Sequence, residues 1–213
     1  MKLFTGTLLL AVFAGSTAQA NPITFNFRFD GAAYAPANTA VASGSITFDD
    51  TKLANPGRNL YDPGNLYSAY GTAIAGLVTA LNVTVSGASA GNGTFGLADF
   101  DAMLFDTSAT ALDFNRQLVG QATASPNGML WGEIDIELGS SPPQSYTGDF
   151  QLFSKTGSAA PYGIYPFQIG SAEGNGDGLQ LVSFTQVPEP GSLWLFGGAG
   201  LGWWGSRRKR AQA

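Results

Sequence analysis

Residues 23–30 alternate between two kinds of side chain, and this pattern restricts the possible fold more than any other feature of the sequence. Apolar residues alternate with polar ones: Ile23, Phe25, Phe27 and Phe29 against Thr24, Asn26, Arg28 and Asp30. A period of two residues places each set on its own face of an extended chain. We therefore expect a β-strand with one face in an apolar core and the other toward solvent.

Similar alternation recurs along the chain. It is found at residues 45–49, 81–86, 129–138 and 179–184, with shorter strand candidates at 100–105 and 149–153. Segments rich in Gly, Pro, Asn and Asp separate them, at residues 55–65, 87–93, 125–128, 139–144 and 170–178. Only residues 68–81 are predicted to form a helix of useful length. The pattern predicts an all-β fold, an antiparallel β-sandwich or jelly roll, as a single domain over residues 21–186.

The chain of 213 residues contains no cysteine and no histidine. This absence excludes disulfide scaffolds, metal sites built from thiolate or imidazole, Ser-His-Asp triads and Cys-His dyads. Any catalysis would have to use carboxylates, hydroxyls, lysine or tyrosine. We predict no cofactor and no metal.

Charge is distributed unevenly between the ends and the body. Between residues 21 and 189 there are five basic residues and all fifteen acidic ones, which leaves a net charge of −10. Surfaces that bind nucleic acid are basic because they neutralise phosphates. We therefore expect no nucleic-acid partner.

Residues 1–20 have the layout of a secretory signal peptide. A cation at Lys2 is followed by an apolar centre at residues 8–14 and by the small residues Ala18 and Ala20. This order predicts export through the Sec translocon and removal of the segment by signal peptidase, with cleavage after Ala20.

The other end of the chain has the layout of a short membrane anchor. Residues 191–206 carry no charge over sixteen positions. As a helix they would span about 24 Å at ~1.5 Å per residue, against a hydrocarbon core of roughly 30 Å. Four basic residues follow: Arg207, Arg208, Lys209 and Arg210. We predict a short transmembrane helix with a cytoplasmic stop-transfer signal.

Residues 187–210 resemble the PEP-CTERM sorting signal of Gram-negative bacteria. Val187, Pro188, Glu189 and Pro190 come first, followed by the apolar segment and the basic tail. The resemblance implies that Pro188, Glu189 and Pro190 are recognised by exosortase, a membrane-embedded cysteine protease-transpeptidase. It also implies an intermediate held in the inner membrane and a later location at the cell surface or in the extracellular matrix, where family members are linked to exopolysaccharide and biofilm. The prolines favour an extended, accessible backbone here.

One predicted strand carries a row of carboxylates. On an extended chain Glu133, Asp135 and Glu137 would share one face with Trp131. Neighbouring carboxylates raise at least one pKa and can supply an acid and a nucleophile. The string E-I-D-I-E is similar to the active-site strand of family 16 glycoside hydrolases. That resemblance implies Glu133 as nucleophile, Asp135 as its electrostatic helper and Glu137 as acid/base. A solvated edge strand has the same pattern.

Two groups of oxygen-bearing side chains are candidate calcium ligands. They are Glu173, Asn175 and Asp177, and Asp99, Asp101 and Asp106. Neither group has the spacing of a complete calcium loop, and residues 174–178 are also typical of a turn before a strand. From the sequence we expect an exported, exosortase-sorted, non-catalytic protein of the cell surface or matrix that interacts with exopolysaccharide. The alternative is a surface glycoside hydrolase that uses Glu133, Asp135 and Glu137.

Overall fold

The computed structural model describes residues 22–107, 110–123, 128, 130–133, 150–155, 163–164, 169–170 and 177–188. Ten strands are assigned in these ranges: β1 (Pro22–Asp30), β2 (Val41–Asp49), β3 (Arg58–Tyr61), β4 (Val78–Ser86), β5 (Gly93–Gly96), β6 (Phe100–Asp106), β7 (Phe150–Ser154), β8 (Gly163–Ile164), β9 (Ile169–Gly170) and β10 (Gln180–Gln186). The same ranges contain one short α-helix, α1 (Gly31–Tyr34), and two 3-10 turns, Ser68–Tyr70 and Leu97–Asp99.

The strands form two five-stranded sheets. The first sheet has the order β10-β1-β2-β4-β5 and the second sheet has the order β3-β6-β7-β8-β9. Neighbouring strands run antiparallel in both sheets. The prediction of a mainly β, antiparallel fold is confirmed. The strands predicted at 45–49, 81–86, 100–105 and 179–184 coincide with β2, β4, β6 and β10 to within a few residues at their ends.

Aromatic side chains from both sheets pack in one core. The ring centroid of Phe25 in β1 lies 5.9 Å from that of Phe105 in β6, and the rings of Phe27 and Phe150 are 5.0 Å apart. Phe184 in β10 stacks on Phe105 at 5.3 Å. All five residues are buried. Because large rings remove the most apolar surface from water, these contacts account for much of the attraction between the inner faces of the sheets.

The close spacing of β2 and β4 depends on Gly44. This residue pairs with Val83 in the antiparallel register. A Cβ atom at position 44 would lie 1.9 Å from the Asn82 carbonyl oxygen. Glycine therefore allows two backbones to approach at the centre of the first sheet.

The helix predicted at residues 68–81 is wrong. Its first residues form the 3-10 turn Ser68–Tyr70, and β4 begins at Val78. Gly71 and Gly76 lie between them with φ of 137° and 67°, a backbone region that interrupts a right-handed helix. Alternation from Leu81 onward buries Leu81, Val83 and Val85 in the core, and Val78 is buried at the start of the strand, so strand packing overrides the local preference for helix.

The strand predicted at residues 129–138 is wrong at residues 130–133, which form a turn. The Glu133 N–H donates to the Leu130 carbonyl oxygen at 3.1 Å, and Gly132 has a φ of 75°. Residues 134–138 lie outside the described residues. Two strands were also missed: β3 lies within the segment predicted as turns at 55–65, and β5 follows the turn segment at 87–93.

Candidate functional site

The start of β1 and the end of β10 lie side by side at one end of the first sheet. Phe25 pairs with Gln186, and the Val187 N–H donates a hydrogen bond to the Thr24 carbonyl oxygen at 2.7 Å. The ordered sheet therefore continues to the residue directly before Pro188. Pro188 itself is exposed. The predicted sorting segment thus begins where the folded domain ends, with no linker between them.

Most other residues predicted for export and sorting lie outside the described residues. They are Ala18 and Ala20, Glu189 and Pro190, the predicted membrane span 191–206, and Arg207, Arg208, Lys209 and Arg210. In the described ranges, no helix has the length and apolar character needed to cross a membrane.

Loop residues 114–118 cover the outer edge of β10. The side-chain Oε1 of Gln117 accepts the Phe184 N–H at 2.6 Å, and its Nε2 donates to the Ser183 hydroxyl at 3.0 Å. The Leu118 N–H donates to the Phe184 carbonyl oxygen at 2.9 Å. The loop therefore pairs both backbone groups that Phe184 presents at the sheet edge.

Trp131 holds this loop against the core. Its side chain is fully buried, and its Nε1 donates to the Asp106 carbonyl oxygen at 2.8 Å. Its backbone makes two hydrogen bonds to the residues that follow the loop: the Gly120 N–H donates to the Trp131 carbonyl oxygen, and the Trp131 N–H donates to the Gln121 carbonyl oxygen. The indole also packs edge-on against Phe184 at 5.4 Å. Trp131 thus connects the second sheet, the loop and β10.

A groove of about 520 Å³ lies between the loop and the end of β10. Residues 114–117 line one side, and Thr185, Gln186 and Pro188 line the other. The Phe114 ring packs edge-on against Phe25 at 5.1 Å, so the groove adjoins the core. Arg116 is exposed and makes no ion pair with another residue that the structure describes. The groove therefore combines an apolar base with a cationic rim, immediately beside Pro188.

The predicted catalytic row is only partly described. Glu133 is exposed, and its carboxylate accepts the Leu130 N–H at 2.8 Å within the turn. Asp135 and Glu137 lie outside the described residues. The placement of Trp131 on the face of Glu133 is wrong, because the turn at Gly132 breaks the alternation and Trp131 is buried while Glu133 is exposed. Trp131 therefore does not offer a sugar-stacking surface beside Glu133.

Three of the carboxylates that are candidate calcium ligands contact protein groups. Asp99 accepts the Gly96 N–H at 2.8 Å, Asp106 pairs with the Arg58 Nε at 2.7 Å, and Asp177 accepts the Ser89 N–H at 2.7 Å. Glu173 and Asn175 lie outside the described residues. Within the described part of the chain, no three acidic side chains come together as a metal site.

Two surface carboxylates have a lowered pKa. The pKa of Asp30 is lowered chiefly by a hydrogen bond from Arg28, whose Nη2 lies 2.8 Å from Oδ2, while partial burial opposes the shift. The pKa of Asp49 is lowered chiefly by the Thr51 hydroxyl, with a further contribution from Lys52. Both groups are therefore ionised at neutral pH and are bonded in that form.

The outward face of the second sheet carries a group of tyrosines that we name the tyrosine patch, formed by Tyr67 and Tyr70. Their ring centroids lie 4.6 Å and 5.5 Å from that of Phe153 in β7, and 6.3 Å from each other. Both tyrosines are half-buried. Leu66 beside them is 66% exposed, and the Arg58 Nη1 donates to the Tyr70 carbonyl oxygen at 3.2 Å. The patch thus presents apolar ring surface beside the half-exposed side chain of Arg58.

The comparison with known families gives a match for C-terminal residues only. Residues 186–210 match the family model described as the PEP-CTERM protein-sorting motif, so the match begins at the last residue of β10. No curated protein and no solved structure matches the chain. The sequence-based identification of the motif is confirmed, whereas the resemblance to family 16 glycoside hydrolases receives no support. The motif implies an exosortase partner, export, processing at the membrane and a surface-directed fate. The chain therefore carries a PEP-CTERM protein-sorting motif directly after the last strand of a mainly β domain.

Proposed function

We propose that this chain is an exported protein of the cell surface or extracellular matrix of a Gram-negative bacterium. In this proposal a signal peptide at residues 1–20 directs it to the Sec translocon, and residues 191–206 hold it temporarily in the inner membrane until exosortase acts. The mature body is a non-catalytic β-sandwich that contacts exopolysaccharide. The observation that carries the proposal is the sorting motif at residues 186–210, joined without a linker to β10.

The sorting role is tested by replacing Pro188, Glu189 and Pro190 together with alanine in the native host. We expect the variant to keep its C-terminal residues and to accumulate in the membrane, because the recognition segment is lost. The mass of the C-terminal peptide and the fraction of protein at the cell surface report the result. Pro36→Ala, at an exposed proline elsewhere in the domain, is the matched control. Removal of the C-terminal residues from the triple variant as efficiently as from the wild type would contradict the sorting role.

The tyrosine patch is the surface that we propose for exopolysaccharide. Aromatic rings with one apolar face and a polar hydroxyl suit the apolar faces and hydroxyl groups of sugars. Tyr67 and Tyr70 have this character, and the Arg58 side chain beside them is 50% exposed. Its guanidinium supplies hydrogen-bond donors at the edge of the patch.

A glycan array tests this contact with the protein after signal-peptide removal. We expect the double variant Tyr67→Ala, Tyr70→Ala to lose the polysaccharide binding of the wild type. Tyr34→Ala, at a tyrosine that is 47% exposed outside the patch, is the control and should bind normally. Equal binding by the double variant would contradict the assignment of the patch, and absence of binding by the wild type would contradict the exopolysaccharide role while leaving sorting intact.

A surface glycoside hydrolase is the alternative role for the body. It requires Glu133, Asp135 and Glu137 to line a common groove, and it predicts that Glu133→Gln abolishes cleavage in a folded protein. The hydrogen bond from the Leu130 N–H to the Glu133 carboxylate gives this residue a structural part in the turn, which favours the non-catalytic role. Cleavage of any member of a β-glucan panel by the wild type, lost in Glu133→Gln, would reverse that preference.

A further inference from the structure

We propose that the groove beside β10 is a docking surface for the enzyme that processes the sorting motif. Recognition would then extend from Pro188, Glu189 and Pro190 into the folded domain, through residues 114–117 and 185–188. This docking role rests on the proposed function, since it requires that the motif is processed. Three observations support it: the reach of the chain, the backbone groups of Gln186 that have no partner among the described residues, and a cationic rim.

The short distance along the chain between Val187 and the motif places an enzyme that binds the motif next to the groove. Val187 is fixed to β1 by its hydrogen bond to Thr24. Three extended residues cover at most about 11 Å, so an enzyme that holds residues 188–190 lies within that distance of Val187. Pro188 is itself part of the groove wall. Any protein that binds the motif therefore comes against this end of the domain.

The strand edge beside the groove offers backbone hydrogen bonds. The Val187 N–H points toward β1, and in an antiparallel strand the backbone groups of the preceding residue point the opposite way. The backbone groups of Gln186 therefore face the same edge of the sheet as the backbone groups of Phe184. Gln117 and Leu118 pair with Phe184, whereas for Gln186 no partner at this edge is found among the described residues. A backbone segment of the enzyme can hydrogen-bond here to the N–H and carbonyl groups of Gln186.

The rim of the groove carries a positive charge within an acidic body. Arg116 is exposed beside the motif and has no ion-pair partner among the described residues. The body from residue 21 to 189 has five basic and fifteen acidic residues, a net charge of −10. A positive side chain on an otherwise acidic surface attracts an acidic or hydrogen-bond-accepting surface of the partner, and so determines how the partner is oriented. We therefore assign the enzyme contact at this rim a complementary, electronegative character.

Charge reversal in the full-length chain tests the docking surface. Arg116→Glu is compared with Lys155→Glu, which makes the same change at an exposed cation that does not line the groove. Processing in the native host is followed as the rate of C-terminal mass change after pulse labelling. We expect Arg116→Glu to slow processing about fivefold and Lys155→Glu to leave the rate unchanged. Equal rates for the two variants would overturn docking, whereas failure of the triple alanine variant at residues 188–190 to block processing would overturn the proposed function itself.

A spacer provides a second test that does not alter the groove. About ten Gly and Ser residues inserted between Val187 and Pro188 separate the motif from the domain. We expect slower processing, and we expect Arg116→Glu to have no further effect in the spacer protein, because the groove no longer meets the enzyme together with the motif. Processing of the spacer protein at the wild-type rate or faster would contradict docking. Trp131 fluorescence of the matching fragments that end before Trp194, in which it is the only tryptophan, confirms that each variant is folded.

Discussion

The backbone N–H of Val187 donates a hydrogen bond to the carbonyl oxygen of Thr24, and this bond fixes the last residue before the sorting segment to the first strand of the domain. The direction of this hydrogen bond shows that the backbone N–H of Val187 points toward β1. The backbone groups of the preceding residue, Gln186, therefore point away from β1 and toward the groove.

Hydrogen exchange distinguishes these two amides. We expect the Val187 N–H to exchange more slowly than the Gln186 N–H by about tenfold or more, because only the former is hydrogen-bonded within the sheet. Amide exchange followed by NMR on residues 21–188 measures both. The Phe184 N–H, bonded to Gln117, is the internal reference for a protected amide at the groove edge. Similar exchange at positions 186 and 187 would show that β10 ends earlier than described.

Trp131 gives a direct optical signal of folding. In a fragment of residues 21–188 it is the only tryptophan, because the other three are Trp194, Trp203 and Trp204. Since its side chain is fully buried, we expect blue-shifted emission that moves to longer wavelength in urea. Emission typical of water-exposed indole in the native fragment would contradict the burial of Trp131.

Shortening the same side chain should weaken the domain. Trp131→Phe removes the hydrogen bond from Nε1 to the Asp106 carbonyl oxygen and leaves unfilled volume. We expect a loss of about 2–4 kcal/mol in the free energy of unfolding, measured by urea denaturation with circular dichroism. Tyr34→Phe, at an exposed aromatic residue, is the control and should unfold like the wild type. A loss below about 0.5 kcal/mol in Trp131→Phe would contradict its role in holding the loop.

A matched pair of glycine variants tests the close approach of β2 and β4. Gly44→Ala places a Cβ atom 1.9 Å from the Asn82 carbonyl oxygen, whereas at Gly96 in β5 the nearest atom is the Leu81 carbonyl oxygen at 3.8 Å. We expect Gly44→Ala to lower the free energy of unfolding by about 2 kcal/mol or more, because backbone atoms must move apart. Gly96→Ala should change it by less than about 1 kcal/mol. Equal urea midpoints for the two variants would contradict the predicted clash.

The pair of Arg28 and Asp30 makes stability depend on pH. Because the pKa of Asp30 is lowered in the folded chain, its carboxylate stabilises the fold above its unfolded pKa of about 3.9. That contribution is lost as the pH falls through the lower folded pKa. Asp30→Asn removes the charge but keeps an acceptor for the Ala32 N–H at the start of α1.

The expected difference between the wild type and Asp30→Asn is small, because the Arg28 side chain is 47% exposed. We expect the variant to be less stable by about 0.5 kcal/mol at pH 7 and the difference to disappear near pH 2. Urea unfolding at the two pH values checks this. A stability difference of the same size at both pH values would show that the charge of Asp30 does not cause the difference.

The strands that were predicted correctly share one property: a regular two-residue alternation that the tertiary fold uses directly. In β1 the aromatic side chains at positions 25, 27 and 29 are all buried, as the pattern requires. The sorting motif was also recognisable, because its residues are consecutive and their order carries the signal.

Features formed by residues distant in sequence could not be predicted in this way. Gln117 completes the hydrogen bonding of Phe184 across sixty-seven positions, and a glutamine in a polar loop gives no local sign of that role. At residues 130–133 the alternation continued through Gly132, and only the positive φ of that residue shows that the chain turns. Within residues 68–81, Gly71 and Gly76 are the residues in the sequence that disfavour a helix.

The pairing of β1 with β10 has a consequence for the order of events during secretion. The first strand of the domain pairs on one side with the next strand, β2, whereas on its other side it pairs with the last strand, β10. Such long-range pairing makes completion of the sheet a late step. Since β10 ends where the sorting motif begins, the first sheet is complete only when the chain up to the motif is available for pairing. In the proposed export route, folding and sorting are therefore coupled by the position of one strand, because the motif directly follows the strand that completes the sheet.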